Sequence, residues 1–253
     1  MRAILTYHSV DDTGSPISVS REAFRAHCDF LSAGRVRVVP LQQLLRLTSD
    51  EDAVAITFDD GLASFWAAAA PELEQRGLPA TVFVVTDHVG AHNDWGGVRP
   101  AGVPHLPLMT WEQVGRLGGR GFEVGAHTRT HPLLPQLPPA RLEDELDGSA
   151  ARLESLLGLR PETFAYPYGA VDDRSAAAVR ARFALACTTE LRVLRPNDDH
   201  ALLPRLDMFY LRSAGLLERW GSAAFRSLLW WRSCGRRARR LLAAPSQQRS
   251  LVA

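Results

Sequence analysis

The chain has 253 residues, 46% of them hydrophobic, and 29 basic residues nearly balance 28 acids for a net charge of +1. That profile excludes fibrous and intrinsically disordered classes, and the length suits one large α/β domain more simply than two small ones. All 29 basic residues are Arg, as GC-rich coding would give, and they are unevenly spread. Arg219–Ala253 holds eight Arg and no acid, whereas residues 1–218 carry 21 Arg against 28 acids, a net of −7. Cys28, Cys187 and Cys234 are odd in number and form no Cys-x-x-Cys pair. They indicate neither a disulfide framework nor a thiolate metal site, and they suit a reducing compartment. The apolar stretch within Met1–His8 is too short for the core of an export signal, and no run approaches ~18 consecutive apolar residues. The expected location is the cytoplasm.

In chain order, short β-like runs alternate with helix-like segments. Arg2–Tyr7 reads as a strand. Ser20 caps a helix over Arg21–Ala33, with Phe24, Cys28 and Leu31 on one face. A short strand at Val36–Val39 and a short helix at Leu41–Leu47 follow. Ala53–Phe58 is a β-rich run that stops at Asp59-Asp60-Gly61, and a helix is expected over Leu62–Arg76. Next come a strand at Ala80–Val85, a Gly- and Pro-rich loop over Asn93–Pro107, a helix over Thr110–Leu117 and a strand at Phe122–Gly125. Pro138–Leu157 is amphipathic, with Leu142, Leu146, Leu153 and Leu157 at helical spacing. Strands at Thr163–Tyr166 and Ala184–Thr188 flank a helix over Asp173–Arg182. Successive βα units predict a mostly parallel sheet, open or closed into a barrel.

Three constellations fall at strand ends: Thr57–Gly61, His127–Pro132 and Phe164–Gly169. Alone, an Asp-Asp-Gly before a helix reads as a turn and cap, and a His-x-x-x-His pair reads as surface histidines. Parallel α/β folds bring such loops together at the carboxyl ends of their strands. One carboxylate and two imidazoles then form a three-ligand set that can hold a divalent ion and leave a position open, as in hydrolytic sites. A sharp turn would let one Asp ligate while the other takes a proton from water.

These motifs resemble the first three motifs of the polysaccharide deacetylase family, also called the NodB-homology or carbohydrate esterase family 4 domain, over about Ile4–Met208. The resemblance implies a distorted (β/α) barrel. It makes Asp59 the general base, Asp60, His127 and His131 the metal ligands, and Tyr168 the donor of an oxyanion-hole backbone N–H. Many members carry an Arg in the third motif that holds the base, whereas this chain has Ala165-Tyr166-Pro167-Tyr168. Arg205, after a late strand-like segment, is the candidate substitute, because a guanidinium grips a carboxylate in fixed geometry. A surface ion pair is its alternative. No late Leu-x-His motif supplies a general acid, and His200 lies in a polar turn. Tyr7-His8-Ser9-Val10 resembles the Tyr-His-x-Val start of the branch acting on poly-N-acetylglucosamine, which makes His8 the acid. Trp95 could stack on a sugar or simply pack, as could Tyr166 and Trp111, and Asp207 has no assigned role.

The resemblance implies a metal-dependent hydrolase that removes N-acetyl groups from amino sugars of a polysaccharide, glycolipid or glycan precursor. The implied cofactor is one divalent ion, zinc first, with cobalt, nickel and iron open. Hydrolysis of a non-sugar C–N bond, or a non-catalytic glycan- or membrane-binding role, are the alternatives. The expected partner is the acetylated sugar and not nucleic acid, and the oligomeric state is open. Residues 1–212 form the expected deacetylase domain and 213–253 a helical basic extension. In that extension Leu217, Trp220, Ala224, Leu228 and Trp231 fall near one helical face, suited to packing on the barrel or to peripheral contact with an anionic membrane.

Overall fold

The alternation of side chains along the strands builds the molecule. In the computed structural model, which describes residues 1–48, 51–95, 102–213 and 215–242, with side chains as far as Gly235, the elements run as follows. Strand β1 (Arg2–Tyr7) leads through the short paired strands β2 (Ser9–Val10) and β3 (Ser18–Val19) to helix α1 (Arg21–Ser32). Then come β4 (Arg37–Val38), α2 (Leu41–Arg46), β5 (Ala53–Phe58), α3 (Ala70–Gln75), β6 (Ala80–Val84), α4 (Trp111–Arg116) and β7 (Phe122–Ala126). The chain continues through α5 (Pro139–Leu157), β8 (Thr163–Ala165), α6 (Asp173–Arg180), β9 (Leu185–Cys187), β10 (Leu206–Asp207) and α7 (Ala223–Leu242).

The principal sheet has the order β10-β1-β5-β6-β7-β8-β9, with β4 also pairing β5, and every pair is parallel. Apart from β10, successive strands of that order follow the chain, the winding of a barrel rather than a doubly wound sheet. Closure comes from the segment before β10. Leu203 N–H donates to Ala186 O at 2.9 Å, Thr188 N–H donates to Leu203 O at 2.8 Å, and three residues later β10 pairs with β1. This is the distorted (β/α) barrel expected from the sequence.

Two buried clusters lie on opposite faces of the strands. Leu5, Ile56, Phe58, Val82, Val124 and Phe164 face outward and pack with helix residues such as Leu31, Leu73, Leu146 and Val179. Ile4, Ala55, Phe83, Ala165, Cys187 and Leu203 fill the interior, joined by Leu41 and Leu44 of α2. The interior is narrow, so small residues sit opposite the Phe83 ring. A Cβ built on Gly125 would lie 2.5 Å from Phe83 Cδ1 and 2.6 Å from Thr163 Oγ1.

Local signals place the helix starts. Ser20 accepts from Ala23 N–H, Thr110 forms a capping box with Gln113, and Asp172 forms one with Ser175. The helix expected over Leu62–Arg76 instead passes through a π-helical stretch, Phe65–Ala69, before α3, and Leu62 is bridged to Leu108. The helical face expected from Leu217 to Trp231 is broken. Leu217–Arg219 form a separate 3-10 turn, Gly221 takes φ +75°, and α7 begins afresh at Ala223. The break resets the helical phase, so among the residues of α7 whose side chains are described Phe225 and Leu229 are buried, while Ala224 and Trp231 are exposed. Leu217, Phe225 and Leu229 belong to the same core cluster as the barrel's outer face.

Replacing Gly125 with Ala forces the overpacked interior to yield, and we expect a loss of about 1–3 kcal/mol. A denaturant midpoint shift at unchanged m-value measures it, and an unshifted midpoint would show that Phe83 can move aside without cost.

Candidate metal centre and active site

The strand ends deliver the site. In β5, Ala53 and Ala55 point into the barrel and Val54, Ile56 and Phe58 point out, so Asp59, which extends the ladder by donating its N–H to Tyr7 O at 2.9 Å, continues on the inner face. An extended Asp60 would point outward. Its φ of +70°, followed by Gly61 at +69°, turns the chain so that both carboxylates reach one cavity. His127 follows β7 in the same way, its N–H donating to Val84 O at 3.1 Å.

Among the described residues, four non-glycine residues have positive φ: Asp60, Thr128, His131 and Tyr168. All four belong to the three loops singled out in the sequence. Each such conformation costs on the order of 1 kcal/mol and persists only where its surroundings enforce it.

For the His loop, the enforcing groups are identifiable. His131 N–H donates to Thr128 Oγ1 at 3.0 Å. Glu145, 1% exposed on α5, accepts from Arg129 N–H at 2.8 Å, Thr130 N–H at 2.9 Å and Thr130 Oγ1 at 2.6 Å. Sequence reasoning passed over Glu145, although the signal was present: it is an acid on the stripe of Leu142, Leu146, Ser149 and Leu153 that α5 buries.

Asp60, His127 and His131 converge as expected, and all three are buried. His127 Nε2 and His131 Nε2 are 3.2 Å apart, and each lies 3.4 Å from Asp60 Oδ1. Tetrahedral ligands about 2.0–2.1 Å from a zinc-like ion stand roughly 3.3–3.4 Å from one another, so this triangle fits a divalent cation. The histidines are prepared as neutral ligands. His127 Nδ1 donates to Ala165 O at 2.7 Å, which fixes its tautomer and leaves the Nε2 lone pair facing Asp60. Burial pushes His131 down to about 4 despite the neighbouring Asp60 carboxylate. For Asp60 the balance is reversed: burial would raise its carboxyl, but the two facing imidazoles hold it well below the usual carboxylate range.

Arg205 stands where the missing motif Arg would be needed. It is 1% exposed, and its Nη1 and Nη2 each donate to one Asp59 carboxylate oxygen at 2.6 Å. Its Nε donates to Thr188 O at 2.9 Å, so the fork cannot rotate away. Burial would raise the Asp59 carboxyl, and Arg205 outweighs it, keeping Asp59 ionised through neutral pH. His8 Nε2 is 3.8 Å from Asp59 Oδ2, with its side chain 15% exposed at the cavity.

The same cavity, which opens to solvent, is also lined by Tyr168, Trp95, Ile17, Asn93, Val103 and Thr189. Trp95 is buried and stacks on the His131 ring at 4.4 Å, packing against the candidate cation site. Asn93 holds the loop down by donating to Pro104 O and accepting from Leu106 N–H. The remaining candidates are structural or remote. Tyr166, on the cavity floor, donates its hydroxyl to Ala201 O at 2.9 Å, Asp207 accepts from Phe209 N–H, Trp111 receives the Arg152 guanidinium, and His200 is exposed.

The family model for polysaccharide deacetylases matches residues 46–183. The chain belongs to the polysaccharide deacetylase family. Among its relatives is the poly-beta-1,6-N-acetyl-D-glucosamine N-deacetylase of Staphylococcus aureus, 24% identical over 217 residues, 80% of this chain and 72% of that protein. YxkH of Bacillus subtilis, whose name places it in the same family, is 28% identical over 193 residues; the match spans 74% of this chain but 64% of YxkH's length. Among solved structures, IcaB from Ammonifex degensii superposes with a TM-score of 0.70 at 26% identity, covering 92% of this chain and 97% of that one. The Streptococcus pyogenes deacetylase PplD, solved with acetate, shares the fold at TM-score 0.70 and 22% identity, over 81% of this chain and 91% of that one. The segment matched by the deacetylase model holds both aspartates, both histidines and Tyr168, whereas His8 and Arg205 lie outside it.

Two outcomes follow for this deacetylase fold. Arg205→Ala strands a buried carboxylate and should lower stability by about 3–5 kcal/mol at neutral pH. Because Asp59 has a depressed folded-state pKa, the pair's stabilisation is full above the ordinary carboxyl range and fades as pH falls through it, so the gap between parent and variant should narrow under acid. A gap independent of pH would exclude Asp59 as the partner that matters. Glu145→Gln should weaken divalent-ion binding by about 10–100-fold, read by isothermal titration, because the loop carrying His131 loses its charged anchor. Unchanged affinity would mean that Thr128 alone sets the loop.

Proposed function

We propose that this chain is a metal-dependent N-deacetylase acting on N-acetylated amino sugars of a glycan. One observation carries the reading: a base held by a guanidinium, a three-ligand cation site and an imidazole all face one cavity at the barrel's carboxyl end. Asp60, His127 and His131 hold the cation, with zinc the first choice for an N₂O set and cobalt, nickel or iron able to replace it. When bound, such an ion polarises the acetyl carbonyl and makes water acidic enough to be deprotonated near neutrality.

The chain's own residues do the rest. Asp59 takes a proton from the attacking water. Arg205 engages one lone pair on each Asp59 oxygen, so it fixes the carboxylate's orientation while leaving a lone pair on each free to accept. That grip lowers basicity, a loss that positional accuracy must offset. Tyr168 lines the cavity, and its backbone N–H is assigned to the oxyanion that develops when water adds to the carbonyl. His8 protonates the sugar nitrogen as the C–N bond breaks, since an unprotonated amine leaves poorly. The proton held by Asp59 and the site vacated on His8 are 3.8 Å apart, within reach through one water, so transfer between them resets both groups.

The substrate class rests on the Staphylococcus aureus relative, whose name specifies poly-beta-1,6-N-acetyl-D-glucosamine. The test is acetate release from N-acetylglucosamine oligomers with divalent metal added back to stripped protein. Asp59→Asn should lower kcat by about two to four orders of magnitude with metal content kept. Asp60→Ala should abolish metal binding and activity together, and His8→Ala should reduce turnover with metal content intact. No metal-dependent acetate release from sugars, alongside release from simple aryl amides, would move the chain to the non-sugar class.

A further inference from the structure

Helix α7 uses two opposite faces differently. Phe225 and Leu229, one turn apart, are 0% and 6% exposed and seat the helix on the barrel. On the other side Trp230 and Trp231 are 60% and 68% exposed, two of the four large apolar side chains that the described residues leave open to solvent. Their rings touch at 5.0 Å with planes 78° apart. Flanking them, Arg195 and Arg226 line a groove with Trp230, and neither they nor Arg232 forms an ion pair among the described residues. The sequence adds Arg236-Arg237-Ala238-Arg239-Arg240 before the end of α7, and no acid occurs from Arg219 onward.

We propose that this outward face of α7 docks on an anionic lipid bilayer. A bilayer surface offers both chemistries at one level: phosphates for the guanidiniums and the headgroup–acyl boundary for indoles. A second copy of the chain does not suit the face, because an isologous contact would bring the Arg195 and Arg226 of both copies into one patch without an acid. A single-stranded nucleic acid suits it less, because indoles at 78° to one another form no common stacking platform. No described helix is long and apolar enough to cross a membrane, so the contact is peripheral.

The test is co-sedimentation of the full chain with vesicles of phosphatidylglycerol and phosphatidylcholine, beside vesicles of phosphatidylcholine alone. Binding should require phosphatidylglycerol, weaken with added salt, and fall at least about tenfold in the Trp230→Ala/Trp231→Ala double variant. Acetate release from a soluble oligomer should be unaffected by that variant, since neither indole lines the catalytic cavity. The buried face stays intact, and the unaltered protein's salt series provides a readout that needs no variant. Equal partition of parent and variant would overturn the proposal. So would binding to phosphatidylcholine alone, a dimer that dissociates on Trp replacement, or preferential capture of a single-stranded oligonucleotide.

Discussion

A carboxylate and a guanidinium, both almost entirely removed from water, lie at the top of the barrel interior, and the rest of the site is arranged about them. Burying either charge alone would be severely unfavourable, and the two are tolerated because each Asp59 oxygen receives its own N–H. The pair spans the closure of the barrel: Asp59 ends β5, while Arg205 enters β10 from the segment that joins β9 to β1. The interaction that orients the Asp59 carboxylate therefore also fastens the last strand to the ring. The fold and the candidate site thus share one contact, between residues 146 positions apart in the chain.

Beside that pair, the cation site depends on backbone conformations that its residues would not choose. Asp60, Thr128 and His131 are all left-handed, and each is held by neighbours rather than by its own preference. Glu145 anchors the His loop from α5, Ala165 O fixes the His127 ring, and Trp95 and Tyr168 pack on His131 at 4.4 and 4.5 Å. The result is a preorganised triangle of buried donor atoms on the wall of a cavity that opens to solvent.

Much of the fold was legible in the chain itself. Strand runs such as Ala53–Phe58 and caps such as Ser20, Thr110 and Asp172 are local signals, and they coincide with the observed elements. Where the reading failed, a non-local cause is visible. The Leu216–Trp231 periodicity ignored a break at Gly221, whose positive φ resets the helical phase, so different residues of α7 face the barrel. For Trp95 the sequence left stacking on a sugar and packing both open, because nothing local shows that its loop is clamped by Asn93 and that its ring stacks on His131.

By itself, the sequence determined the residue types and their order: an Asp pair after a strand, two histidines one helical turn apart in number, and a third loop rich in Tyr and Pro. Those follow from chemistry that needs particular functional groups. Which Asp faces the histidines and which faces Arg205 was legible only through the family resemblance; its physical cause, a single left-handed residue, Asp60, at the end of a strand, appears only in the tertiary structure. It also decided that Glu145 is an anchor, since its partners are backbone amides 15 and 16 positions away, brought within reach by the packing of α5 on the barrel.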